Sequence, residues 1–418
     1  MPVNGKKALF AAAGLMALTA AATGALAGGF QIHEQSAEFQ GLSFAGTAAG
    51  GAGLSSMFWN PATITRHEGM KSDSNGTLIL PYSRARNESQ GLLNLTPLSS
   101  DSGNIGRNAF VPASYSSWQL NDMIWLGLGM NAPYGLTTRN GRNSKGAVIG
   151  YKSKIVTFDI TPTVAIKLND MISIAAGMQI NYMKGDLSSL GYAPFAIPST
   201  RIKGDDWGVG FTAGLLLTPV SGTSIGLGYR SRVKHTLKGR FTINNALVLP
   251  ASVKHTLPDQ LTFSVRQSLT DDFDILGSIE WTNWSLFKRF SINAPGGPYT
   301  DVYNWKDSWM FSIGGEYRYS SALTLRAGYA YEKSPVPDTT RNVRLPDNDR
   351  HWLSVGASWV ASDWLTMHLG YSHLFAKNGS VNRNVGLPGG NFTATYKNHI
   401  NIVSAGVTIN TGKLFFSN

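Results

Sequence analysis

The sequence predicts an all-β membrane protein, a 14-stranded antiparallel transmembrane β-barrel plugged by its own N-terminal segment. Three observations carry that prediction. Charged residues make up 15% of the 418-residue chain, below the ~25% of ordinary globular proteins, while aromatics reach 11% and glycine counts 46. An export signal opens the chain, and no later apolar run reaches the ~18 residues that a membrane helix needs. Beyond residue 70, amphipathic strands are joined by connections that alternate between short and long.

The signal is read at 1–27. Lys6 and Lys7 give it a positive start, Ala8 to Ala27 is its apolar stretch, and Ala25-Leu26-Ala27 is a small-x-small cleavage site. An uncleaved anchor would call for stronger hydrophobes and no such site. Residues 28–69 follow, rich in Gly, Ala and Ser, without sustained period, and ending their apolar part on Asn60-Pro61-Ala62. They are too apolar for a tail and too irregular for a strand, which suits a segment packed inside a larger body. That body is 70–418.

Alternation is plain in 124–131, where Ile124, Leu126, Leu128 and Met130 interleave with Trp125, Gly127, Gly129 and Asn131, and again in 172–182 and 365–372. A soluble sandwich shows the same period, so the spacing decides. Fourteen candidate strands fall near 71–86, 109–120, 123–135, 152–168, 171–185, 207–219, 223–238, 256–269, 273–288, 308–319, 322–333, 350–361, 363–377 and 396–410. Turns such as Asn121-Asp122 and Asn169-Asp170 close some joints, whereas 87–108, 136–151, 186–206, 239–255, 289–307, 334–349 and 378–395 are long and polar. Short periplasmic turns and long outer loops are what a membrane barrel has. Its place is the outer membrane of a Gram-negative bacterium, with both termini on the periplasmic side. A lumen of that width cannot be filled by wall side chains, so a plug is expected.

If Leu261, Phe263 and Val265 face lipid, Arg266 faces the lumen. The same parity points Arg230, Arg232, Glu280, Glu316, Arg318 and Arg326 inward, where acids and bases on neighbouring strands pair. A cationic spot for a substrate carboxylate is the functional alternative for that row. Trp125, Trp284 and Trp352 are candidate pocket walls, though tryptophan also serves as a girdle residue. Cysteine is absent, excluding thiolate metal sites and cysteine nucleophiles, and the eight histidines show no ligand spacing, so neither metal nor cofactor is expected. The chain reads as no enzyme. Its net charge of +11, or +9 without Lys6 and Lys7, reads as scattered along the sequence and suits lipid and lipopolysaccharide rather than nucleic acid.

Several motifs are similar to those of the FadL family of outer-membrane transporters for long-chain fatty acids and hydrocarbons. They are Gly28-Gly29-Phe30, Glu34-Gln35-Ser36, Phe58-x-Asn60-Pro61-Ala62, Asn131-Ala132-Pro133-Tyr134-Gly135-Leu136, Leu257-Pro258, Trp281-Thr282-x-Trp284-Ser285, and Ser334-Pro335-Val336-Pro337 with Leu345-Pro346-Asp347-x-Asp349-Arg350-x-Trp352. The resemblance spans Gly28 to about Val407 and departs at the C-terminus, where Phe415 and Phe416 precede Ser417-Asn418. It implies that 28–69 is a hatch, with Gly28, Gly29, Phe30, Asn60, Pro61 and Ala62 at the pocket and hatch. It also implies passive transport of a hydrophobic molecule, captured by outer loops and released sideways where Ala132, Pro133, Tyr134 and Gly135 interrupt the third strand. Pro133 lacks an N–H and Gly135 tolerates a bulge, which fits that role; a strand simply ending at its loop fits as well. The contrasting function class is an open, hydrophilic general-diffusion porin, which would need many lumen charges and no plug. The expected unit is a monomer.

Overall fold

The computed structural model describes residues 28–412. The signal segment 1–27 and the C-terminal Phe415 and Phe416 lie outside the described residues. Fourteen antiparallel strands close on themselves through β1 (Met70–Ala85) and β20 (Phe392–Asn410), whose ladder runs from Lys71↔Asn410 to Ala85↔Tyr396. The wall proceeds through β2 (Ala109–Gln119), then β3 (Ile124–Asn131) continued by β4 (Gly135–Arg139), then β5 (Lys152–Lys167), β6 (Ile172–Ser189) and β7 (Thr200–Leu217). Next come β8 (Thr223–Arg230) continued by β9 (Val233–Ile243), and β10 (Leu247–Leu257) continued by β11 (Gln260–Ser268). After β12 (Phe273–Thr282), a hairpin of β13 (Arg289–Ala294) and β14 (Gly297–Val302) rises from the outer end. The wall then resumes with β15 (Ser308–Arg318), β16 (Leu323–Lys333), β17 (Arg350–Ser362) and β18 (Leu365–Ala376). The short β19 (Gly379–Arg383) pairs only on the outer part of β20.

Turn chemistry fixes the periplasmic joints. The Asn121 side-chain oxygen accepts from the N–H of Met123 and Ile124, both at 2.9 Å, and Asn169 does the same for Met171 and Ile172. The outward row of each strand is apolar and uncovered by protein, as with Val209 at 70% and Leu369 at 62% exposed. That is the lipid face of a barrel. Two expected loops are largely strand. Residues 186–206 and 239–255 contain the outer ends of β6 and β7 and the outer part of the β9–β10 hairpin. Apart from Val248 and Pro250, their outward positions are Lys, Arg, Asp, Ser and Thr because they rise above the hydrocarbon, so an apolar template ends too early. Residues 289–307 likewise hold the β13–β14 hairpin.

Residues 28–65, apart from Gly51 and Ala52, are buried, and strands on every side of the barrel grip them. The Ala37 N–H donates to Asn75 on β1, the Gly46 N–H to Ser278 on β12 and the Ala48 N–H to Ser264 on β11. Ser43 and Ser354 on β17 share a hydroxyl bond of 2.7 Å. The segment has little regular structure. Its helix Ala37–Gln40 is capped by the Ser36 hydroxyl, which accepts from the Phe39 N–H at 3.1 Å. Asn60 caps the 3₁₀ turn Pro61–Arg66. The wall admits this backbone through glycine. A Cβ on Gly228 would stand 1.7 Å from the Trp59 carbonyl oxygen, and one on Gly328 would stand 2.1 Å from the Leu42 carbonyl carbon.

Candidate functional site

Beside the start of the hatch lies an apolar cavity. Inward residues of the wall line it, among them Ile155, Met183, Ile202, Leu237 and Val253, with Phe30 against its floor. These residues sit there because their strands alternate: the intervening positions, such as Lys154, Lys184 and Lys203, point outward. Aromatic rings from the excursion between β12 and β15 complete the enclosure. Trp284 packs on Phe30 at 4.6 Å between ring centroids, and Phe287 stands 5.0 Å from Trp305. Glycine at position 29, with φ of 65°, lets the chain turn against the edges of Trp284 and Trp305, and its N–H donates to the Asp347 carboxylate at 3.1 Å. Burial pushes the Asp347 carboxyl above its ordinary range, opposed by the Arg350 guanidinium bonded to it.

Arg344, from the loop between β16 and β17, borders the same cavity. Its guanidinium donates to the carbonyls of Ile149, Lys152 and Ser188 at 2.9–3.1 Å. No carboxylate among the described residues forms an ion pair with it. Desolvation by burial lowers its proton affinity below the usual arginine value. A cation held by neutral acceptors beside an apolar cavity can still take an anion.

The third strand is interrupted between Asn131 and Gly135. β3 pairs with β2 only from Gln119↔Trp125 to Ser114↔Met130, and no ladder among the described residues joins Ala109–Ala113 of β2 to β4. The interrupting peptides turn to the hatch instead. The Ile32 N–H donates to the Pro133 carbonyl at 2.8 Å, the Gly135 N–H to the Phe30 carbonyl at 2.8 Å, and the Gln35 amide to the Ala132 carbonyl at 2.9 Å. Tyr134 is buried, its ring 6.1 Å from that of Phe30, and its hydroxyl donates to the Pro258 carbonyl at 3.2 Å. Hatch and kink thus share one hydrogen-bond system.

Of the charges expected inside, Arg266, Glu280, Glu316, Arg318, Arg326 and Arg230 face inward. Arg326 donates to Glu316 at 2.6 Å and reaches Glu38 of the hatch at 3.4 Å, while Arg266 bonds both Asp274 and Glu316. Arg318 joins Asp274 at 2.8 Å near the periplasmic mouth. Glu280 accepts from Gln31 at 2.6 Å and lies 3.5 Å from His33, and Arg230 bonds Asp159. Arg232 does not belong to this set. The strand breaks at Ser231-Arg232 between β8 and β9, parity is lost, and the Arg232 side chain is 44% exposed and tied to Asp259. A matching break at Pro258-Asp259 separates β10 from β11. Only the Leu257-Pro258 motif hinted at either.

Gly28 and Gly29 do not line the cavity; Gly28 abuts Glu332, and Gly29 abuts Trp305 and Trp284. Asn60, Pro61 and Ala62 do not line it but anchor the far end of the hatch. None of the three tryptophans lines the cavity: Trp284 stands behind Phe30 and Trp305, which do, Trp352 lies among hatch rings and donates to Glu332 at 3.0 Å, and Trp125 sits remote at the His67 carbonyl.

A closed outer-membrane barrel filled by its own N-terminal segment, with an apolar cavity beside that segment, defines a class of transport channel. The chain belongs to the outer membrane protein transport protein family (OMPP1/FadL/TodX), whose model matches residues 18–410. It is 28% identical over 394 residues to a long-chain fatty acid transport protein of Escherichia coli O6:H1, covering 84% of this chain and 87% of that one. Among solved structures, a Pseudomonas aeruginosa FadL homologue superposes with a TM-score of 0.85 at 23% identity, covering 92% of this chain and all of the other. The Pseudomonas putida toluene transporter TodX gives 0.69 at 15% identity, with 90% and 98% covered. The chain is therefore an outer-membrane transport protein and not an enzyme.

Proposed function

We propose that this protein passively carries hydrophobic molecules, long-chain fatty acids or related hydrocarbons, across the outer membrane. The observation that supports this best is the apolar cavity closed by Phe30 and bordered by the interrupted third strand. A chain of methylenes gains ~0.8 kcal/mol for each CH₂ withdrawn from water, so such a cavity selects greasy solutes over sugars. Substrate enters from the outer loops, occupies the cavity, and leaves sideways when the Phe30 segment lets go of the Ala132–Gly135 kink. Bilayer hydrocarbon then receives it without passage through water. Arg344 at the rim gives a carboxylate its counter-charge, which favours fatty acids over neutral hydrocarbons. The relatives named for fatty acids and for toluene support the substrate class.

The buried hatch argues against a general-diffusion porin. Liposomes carrying the protein should fail to swell in small sugars yet should transfer a fluorescent fatty acid, and Arg344→Met should weaken that transfer while leaving transfer of a neutral hydrocarbon intact. Swelling in sugars would establish the porin reading.

A further inference from the structure

We propose that the outer face of β5, β6, β7 and β9 binds the phosphate groups of lipopolysaccharide. Cation density on this wall is what the sequence hides. Register places Lys154, Asp186, Lys203 and Arg240 in one row across four strands, and Lys184, Asp205 and Lys238 in the row beneath. Their inward neighbours Met183, Ile202, Leu237 and Phe241 are buried, so the charged rows point away from the lumen. Lys152 and Arg201 add a third row and share Asp186, at 2.8 and 2.9 Å. Seven cations thus meet two carboxylates on one face. Among the described residues, Lys154, Lys184, Lys203, Lys238 and Arg240 form no ion pair. The charge that reads as scattered along the chain is gathered by strand pairing, because residues 152–240 meet across neighbouring strands.

Height on the wall selects the occupant. Directly below the charged rows stand Phe158, Tyr182 and Trp207, cross-strand neighbours, with Trp207 59% exposed and its ring 5.1 Å from that of Tyr182. Below them the outward row is apolar, through Ile160, Ile180 and Val209. Aromatic girdles mark the edge of the hydrocarbon. Two or four residues further along a strand rises about 7–14 Å, the depth of lipid phosphates. The opposite wall carries fewer free cations at this level: Lys377 is paired to Asp349 at 3.0 Å and Arg84 to Asp101, which leaves Lys333 and Lys397 without an ion pair among the described residues there. Unpaired lysines and arginines on the β5–β9 face would repel one another unless anions sit between them. The glycolipid of the outer leaflet supplies phosphates at that height, with acyl chains against Phe158 and Trp207.

The test titrates the detergent-solubilised protein with diphosphoryl lipid A and counts bound lipid by native mass spectrometry. The triple variant K184S/K203S/K238S should bind at least tenfold more weakly, whereas K333S/K377S/K397S on the opposite wall should bind within twofold of the parent. Dephosphorylated lipid A should bind poorly to the parent protein, and inorganic phosphate at a few millimolar should not displace the phosphorylated lipid. The charge-keeping set K184R/K203R/K238R should restore binding, which separates lost charge from a damaged barrel. Equal weakening by both serine sets, equal affinity for the dephosphorylated lipid, or full displacement by inorganic phosphate would each overturn the assignment.

Discussion

The Asn60 side chain donates to the Leu215 carbonyl of β7 at 2.9 Å, joining the hatch to a wall residue 155 positions away. The same amide donates to the Ala48 carbonyl at 2.7 Å, and its oxygen accepts from the Ala62 N–H at 3.0 Å. One fully buried side chain therefore folds the hatch on itself and fastens it to the barrel.

Asn60→Ala should loosen the hatch without unfolding the barrel. Two carbonyls and one N–H lose a partner in a buried site, at a cost of ~1–3 kcal/mol for each such group. Hydrogen exchange in 45–67 should accelerate by about tenfold or more, while the barrel still migrates as a compact species on unheated gels. Unchanged exchange would show that water or neighbouring peptides replace the amide.

Gly228→Ala should act at the same seam by steric means. The new methyl would meet the Trp59 carbonyl oxygen at 1.7 Å, so the hatch must retreat. Gly277→Ala is the matched control, since its Cβ finds nothing nearer than 3.7 Å. Planar-bilayer conductance should rise for the first variant and stay at the parent level for the second.

The barrel and its inward charges were legible in the sequence because alternation and loop spacing follow directly from a closed wall in lipid. Arg266, Glu316 and Arg326 needed only parity. Arg232 was lost because a break at Ser231-Arg232 shifts parity by a step that no local residue announces. The cavity was illegible for a different reason. Ile155, Met183, Ile202 and Leu237 look like any inward strand residues, and the cavity in front of them is completed by Phe287, Phe290, Tyr303 and Trp305 of the excursion at 283–307. The kink was visible as Pro133 and Gly135, but its partners Phe30 and Ile32 lie about a hundred positions away.

Arg326→Met should destabilise hatch docking more than the pair Arg326→Met with Glu316→Gln. Removing the guanidinium alone leaves Glu316 and Glu38 facing each other without it, and breaking a buried pair costs ~3–5 kcal/mol. Thermal unfolding in detergent, run as a double-mutant cycle, should give a favourable coupling energy. A coupling near zero would mean that Arg266 and Ser358 compensate.

The outer cap should tighten as pH falls. Burial pushes the Glu88 carboxyl up to about 7, although it accepts from the Gly146 N–H at 2.8 Å and the Tyr396 hydroxyl at 3.0 Å. Asp101 adds to the rise, and the Lys145 ammonium lies on the Glu88 carbonyl and the Ser100 hydroxyl. The folded loop holds its proton more tightly than a free glutamate, so its contribution to stability is complete below about 4.5 and disappears as pH passes about 7. Exchange of 87–108 and 145–149, corrected for intrinsic rates, should be slower at pH 5 than at pH 8. Glu88→Gln should flatten that dependence.

Closing the third strand should abolish uptake if substrate leaves sideways. The β2–β3 ladder stops at Ser114↔Met130, and the peptides that could continue it are spent on Ile32, Phe30 and Gln35. Replacing Pro133 and Gly135 with valine restores an N–H and strand preference, and deleting Ala132 shifts the following residues toward register with β2. The hatch loses those partners, so its exchange must be followed beside transport. A variant with a continuous wall, a folded barrel and no uptake of a fluorescent fatty acid fits lateral release. Undiminished uptake through a wall shown structurally to be closed would refute it, and would place the path through the hatch, where the substrate would have to give up its ~0.8 kcal/mol per CH₂ to periplasmic water.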